Sequence, residues 1–90
     1  MLEIIPSTPF KRDLKKYIHK KDIIKDLNDI IKLLAAKKAL PPAKRDHSLI
    51  GNYVNCRECH VRGDVLLIYK VDGPAKALYL ARLGSHSELF

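Results

Sequence analysis

The sequence predicts an α+β domain in which an αα-hairpin packs on one face of a small, twisted, mostly antiparallel sheet. Three observations lead there. Two consecutive segments in the first half repeat apolar residues at helical spacing. The second half holds short apolar segments separated by turn residues. The 90 residues are 47% hydrophobic, which suits one core in one domain over residues 1–90 and is too apolar for a disordered chain.

LEIIP (2–6) is a short apolar run ended by Pro6 and is expected as the first strand. Ser7 or Thr8 can then cap a helix, and Pro9 suits a first-turn position, where a backbone N–H is not needed. Phe10, Leu14, Tyr17 and Ile18 form its apolar stripe. HKKD (19–22) makes a tight connection with Asp22 as the cap of a second helix, whose core face is Ile23, Leu27, Ile30, Ile31 and Leu34. ALPPAKRDHSLIGN (39–52) is expected as a loop, since Pro41 and Pro42 stop the helix and Gly51-Asn52 marks a turn. Strands are expected over 53–61, 65–71 and 76–83, with turns at 62–64 and 72–75. VLLIYKV (65–71) is nearly all apolar, as in a central strand buried on both faces. GSHSELF (84–90) reads as a short polar tail. Helices on one sheet face leave the other for function.

Lys and Arg total 17 and Asp and Glu 10, a net charge of +7 that suggests a polyanionic partner or an acidic protein. No stretch approaches the apolar length of a membrane span. MLEIIPSTPF lacks the basic and apolar regions of a signal peptide, so a cytoplasmic protein without a membrane partner is expected.

Cys56-Arg57-Glu58-Cys59-His60 has the C-x-x-C-H spacing of haem attachment. Such attachment follows export, for which no signal is seen, and the only methionine able to serve as a second axial ligand is Met1. Strand alternation puts Val54, Cys56, Glu58 and His60 on one face and Arg57, Cys59 and Val61 on the other, so Cys59 and His60 cannot face one ligand. No second cysteine pair supports zinc. Cys59 is expected as a small buried residue, with no metal and no cofactor.

His19 falls on a polar helix face. His47, His60 and His86 have no apolar stripe to explain them; Asp64 follows His60 in a turn, and Arg82 ends the last strand. In a meander these positions can meet at one edge. Imidazoles exchange protons near neutral pH and Arg suits a phosphate. The set fits RNA cleavage, in which a base activates a ribose 2′-OH, a cation stabilises the phosphate charge and an acid protonates the leaving 5′-oxygen.

RDHSLIGN (45–52), CRECHVRGDVLLIYKV (56–71) and RLGSHSELF (82–90), in that order and spacing, resemble the YafQ family of toxins within the RelE superfamily of bacterial toxin–antitoxin systems. The resemblance covers nearly the whole chain and implies a RelE-like β-α-α-β-β-β fold. It implies a ribosome-dependent mRNA endonuclease acting in the ribosomal A site, neutralised by a cognate antitoxin, with operator DNA bound only through the antitoxin complex. Its site carries over onto His47, His60, Asp64, Arg82, His86 and Phe90, the last packing against a base or a catalytic His. His86 is expected as the general acid, Asp64 with His47 or His60 as the base, and Arg82 on the scissile phosphate. Lys11, Arg12, Lys15, Lys16, Lys37, Lys38, Lys44 and Arg45 are expected to contact rRNA. Val65 stands where the family commonly has an aromatic, and Ala43-Lys44-Arg45 where it often has a Tyr, so two stacking rings are missing. The alternative is a non-catalytic protein of the same fold that binds RNA or an acidic antitoxin through its basic surface.

Overall fold

The computed structural model describes residues 1–49, 51–53 and 55–90. The chain runs β1 (Glu3–Pro6), α1 (Thr8–Leu14), α2 (Lys21–Ala35), β2 (His47–Ser48), β3 (Arg57–Arg62), β4 (Val65–Asp72), β5 (Ala77–Ser85) and α3 (His86–Leu89). The strands form one sheet in the order β1-β5-β4-β3-β2, antiparallel except for the parallel β1–β5 pair. The expected α+β architecture is therefore present.

Ser7 starts α1: its Oγ accepts from the Phe10 N–H at 3.1 Å and donates to the Ala81 carbonyl at 2.8 Å. One hydroxyl thus caps a helix and ties it to β5. The α1 helix ends at Leu14, a turn earlier than its stripe suggests. Phe10 and Tyr17 are buried all the same, but Ile18 is 60% exposed and does not join the core. Lys20 stands at the N-cap of α2 and makes no side-chain cap bond, so Asp22 sits within the first turn, where its charge suits the helix dipole. Leu27, Ile30 and Leu34 bury the α2 face against Cys59, Val61, Leu67, Tyr69 and Leu78.

The middle strand β4 is buried on both sides. Leu67 and Tyr69 belong to the main core under the helices, while Leu66 and Ile68 pack with Leu89 on the opposite face, joined by Leu49, Tyr53, Cys56 and Ala81. That second face is thus partly covered. The 39–52 segment is more ordered than a loop, with short 3₁₀ turns at Pro42–Lys44 and Gly51–Tyr53 and the two-residue strand β2 between them. β3 begins at Arg57, later than the sequence suggests; Val54, expected at its start, lies outside the described residues.

Candidate active site

The second sheet face gathers several of the candidate site residues. His47 pairs in register with Glu58, Glu58 with Ile68, and Ile68 with Arg82, so these four residues form one row across β2, β3, β4 and β5. The next row holds His60, Leu66 and Gly84. A bulge in β5 opposite Ile68 and Tyr69 adds one residue between Leu80 and Arg82. It lets Leu80 and Leu83 both reach the main core while Arg82 lies against the Ile68 side.

His47 lies on β2 rather than in a loop. Its Nδ1 is 2.7 Å from the Arg45 carbonyl, and its Nε2 is 2.9 Å from Glu58 Oε2. The carbonyl can only accept, and the ring's other nitrogen, Nε2, is the one that faces the Glu58 carboxylate. Glu58 is buried, and its Oε1 has no hydrogen-bond partner among the described residues. The turn leading to His47 is held by Asp46, whose Oδ1 accepts from Tyr69 Oη at 2.6 Å and Arg57 Nε at 3.0 Å. Burial, and then this bond, push the Tyr69 hydroxyl upward from its ordinary value.

Arg82 is clamped from α1. Asp13 Oδ2 accepts from Arg82 Nε at 2.7 Å and from the Leu83 N–H at 3.0 Å, and Oδ1 accepts from Arg82 Nη2 at 3.2 Å. β1 pairs only as far as Leu80, so Asp13 takes the place of a neighbouring strand at Leu83. Burial alone would raise the Asp13 carboxyl, but the Arg82 bonds, the Leu83 N–H and the nearby cations outweigh it and hold it below its ordinary value.

The C-terminal GSHSELF is not a tail but the strand-to-helix junction that presents His86. Four residues are too few for a stable helix alone. Ser85 and Glu88 form a capping box, with Ser85 N donating to Glu88 Oε1 at 2.8 Å and Glu88 N to Ser85 Oγ at 3.3 Å. Tyr17 Oη donates to the same Glu88 oxygen at 3.1 Å, Lys16 lies 3.5 Å from the other, and Tyr53 Oη donates to the Leu89 carbonyl at 3.1 Å. The Ser85 bonds, followed by Tyr17, draw the Glu88 carboxyl down to about 2. Gly84 makes room: a Cβ there would stand 3.1 Å from Glu88 Oε1 and 3.2 Å from a Leu89 methyl. So anchored, His86 stacks on Phe90 with ring centres 4.8 Å apart at 30°, and Phe90 meets the Tyr53 ring edge-on at 5.4 Å. Asp64 is exposed in the β3–β4 turn next to Val65, which pairs with Ser85.

The basic residues divide. Lys11, Arg12, Lys15 and Lys16 are exposed on α1 and the turn after it, beside α3. Lys44 is half-buried, with Nζ on the Val61 carbonyl at 2.9 Å and 3.9 Å from Asp26, so it braces the fold as well as adding charge. Lys37 and Lys38 follow α2, whose Ala35 carbonyl bonds Leu2 next to the start of β5. They therefore lie toward the end of β5 opposite Ser85. Glu58, Asp13 and Tyr53 were missed as site residues. The alternation around Cys59 did put Glu58 on the His60 face, which was a usable signal.

Among the described residues, no group of three or more His, Cys, Asp or Glu side chains could hold a metal ion. No described helix is long and apolar enough to cross a membrane.

Small α+β bacterial toxins share this architecture. A metal-bound toxin from Helicobacter pylori superposes with a TM-score of 0.91 at 41% identity, over 100% of both chains. A chain of the Escherichia coli DinJ–YafQ complex gives 0.86 at 31% identity, covering 100% of this chain and 99% of that one. The mRNA interferase toxin YafQ of Escherichia coli K12 is 41% identical over 51 residues, 57% of this chain and 53% of that protein. The chain belongs to the YafQ family, bacterial toxins of type II toxin–antitoxin systems, whose sequence profile matches residues 2–90.

Proposed function

We propose that this toxin is an endoribonuclease that enters the ribosomal A site and cuts mRNA by acid–base chemistry on the ribose 2′-OH. The observation that carries the reading is the anchored His86: a fully caged four-residue helix holds one exposed imidazole beyond the strand that bears Arg82. In this reading His86 protonates the leaving 5′-oxygen, Phe90 orients the His86 ring or meets a base, and Arg82 stabilises charge on the scissile phosphate through the guanidinium edge that Asp13 leaves free. His47 is held on both ring nitrogens, so we assign the base to His60 with Asp64, and a support role to His47 with Glu58. Lys11, Arg12, Lys15 and Lys16 supply rRNA contacts. The relatives' names support the reading: one is called an mRNA interferase, and another is crystallised with DinJ. A cognate antitoxin is accordingly the proposed protein partner, with operator DNA reached only through that complex, in the cytoplasm, by one domain over residues 1–90.

Single-turnover cleavage of A-site mRNA on programmed ribosomes tests this. His86→Ala is expected to lose ~10²–10⁴ in rate, the usual worth of a general acid, while antitoxin affinity stays within about 1 kcal/mol. A folded His86→Ala that cuts within a few-fold of wild type removes His86 from the mechanism. No cleavage by soluble wild-type toxin that still binds ribosomes would favour a protein that binds without cutting.

A further inference from the structure

β2 covers only Arg57 and Glu58 of β3, so on the side away from β4 the edge from Cys59 to Arg62 has no neighbouring strand among the described residues. A cleft of about 460 Å³ opens along it, between the 43–45 turn, the end of β3 and α2. Its walls include Lys44, Arg45, His60 and Arg62, with small residues Ala43 and Gly63 leaving space. One carboxylate faces them: Asp26 takes Arg62 Nε at 2.8 Å and lies 3.9 Å from Lys44 Nζ, fixing both heads at the rim. Three cations against one anion leave the cleft positive. Arg45 is exposed and sits in the left-handed region at φ 50°.

We propose that this cleft is a phosphodiester subsite for single-stranded RNA, holding the nucleotide next to the scissile bond on the His60 side. His60 stands in the row with Leu66 and Gly84 and also lines the cleft, so a strand on that face can continue past His60 and round the open edge of β3 into it. The cleft volume suits one nucleotide, and the fork of Arg62 and the head of Arg45 suit a phosphate rather than a base edge. The inference rests on the nuclease reading for the direction of the strand, but the binding can be measured without cleavage.

The probe is a fully 2′-O-methylated hexaribonucleotide, which cannot be cut, titrated into the toxin over 50–200 mM salt. Each phosphate contact on a single strand adds about 0.7 to the slope of log affinity against log salt, which is about eightfold in affinity at 50 mM and about threefold at 200 mM. Arg45→Asn, a residue that tolerates the same backbone, and Arg62→Gln are each expected to weaken binding by that amount and flatten the slope by about 0.7. Lys70→Gln, exposed on β4 and outside the cleft, is expected to match wild type. Equal affinity and slope in wild type and both cleft variants overturns the subsite, as does tighter binding of an RNA hairpin duplex than of the hexamer. Normal subsite behaviour in a toxin that never cuts ribosome-bound mRNA would keep the subsite and sink the nuclease reading instead.

Discussion

Removing the Asp13 carboxylate should loosen both the fold and the site. In Asp13→Ala, Arg82 loses two hydrogen bonds and the Leu83 N–H is left buried without an acceptor. A hydrogen bond to a charged group is worth about 1.5–3 kcal/mol, and an orphaned buried donor costs about 1–3 kcal/mol. Arg82's side chain is 27% exposed and can rehydrate, which favours the low end and gives about 3 kcal/mol at neutral pH. Asp13→Asn can keep one oxygen for Arg82 Nε and the Leu83 N–H but loses the charge and the acceptor for Arg82 Nη2, so about half of that is expected. The pH dependence follows from the lowered carboxyl. The unfolded chain takes up a proton near the ordinary value of 3.8 more readily than the folded one does. Asp13's contribution is therefore complete above that value and is lost as pH falls through it toward the folded value. Urea unfolding of wild type and both variants from about pH 7 down to about pH 3 reads this out, and the gap between wild type and Asp13→Asn should hold to about pH 5 and then narrow. A loss under about 1 kcal/mol in Asp13→Ala at pH 7, or a gap that does not narrow in acid, would refute the clamp.

Cys59 is fully buried, and burial pushes its thiol up to about 12, so a thiol reagent should label native protein at Cys56 alone; labelling of both cysteines at equal rates would contradict the packing. Cys59→Ala should keep fold and cleavage, with Cys59→Ser about 1–3 kcal/mol worse for placing a hydroxyl in an apolar site. Asp64→Ala should slow cleavage while changing stability by less than about 0.5 kcal/mol, because the side chain is exposed in a turn; wild-type cutting would reduce Asp64 to a turn former. Gly84→Ala should displace α3, seen as faster hydrogen exchange at the Phe90 N–H, which bonds the His86 carbonyl; unchanged exchange would show that Glu88 and Leu89 yield without moving the helix.

Features with a long repeat were legible in the sequence. The α2 stripe, the all-apolar β4 and the inward Cys59 each follow from a periodicity that burial then satisfied. What stayed hidden had no period or had a distant partner. A two-residue strand such as β2 cannot show alternation, so His47 looked like a loop residue. Asp13 lies among Lys11, Arg12, Lys15 and Lys16 and reads as one more surface charge, because its partner is 69 residues away. The early end of α1 was equally invisible, since a turn after Leu14 buries Tyr17 as well as a helix would. The capping box of α3 was readable: Ser85-x-x-Glu88 has the spacing that starts a helix.

The bonds that connect α1 to the other end of the chain also govern when the site can exist. Ser7 meets Ala81, Asp13 meets Arg82 and Tyr17 meets Glu88, across 74, 69 and 71 residues. Each joins α1 or the residues beside it to β5 or α3, so none can form until that end of the chain has been synthesised. During synthesis, α1 emerges early with a buried-type carboxylate and no guanidinium to receive it. A chain interrupted just before β5 carries β1, α1, α2 and even His47, His60 and Asp64, yet has neither Arg82 nor the helix that holds His86. The proposed site is thus assembled late: the basic α1 comes first and His86 last, and the toxin stays unarmed until both are joined.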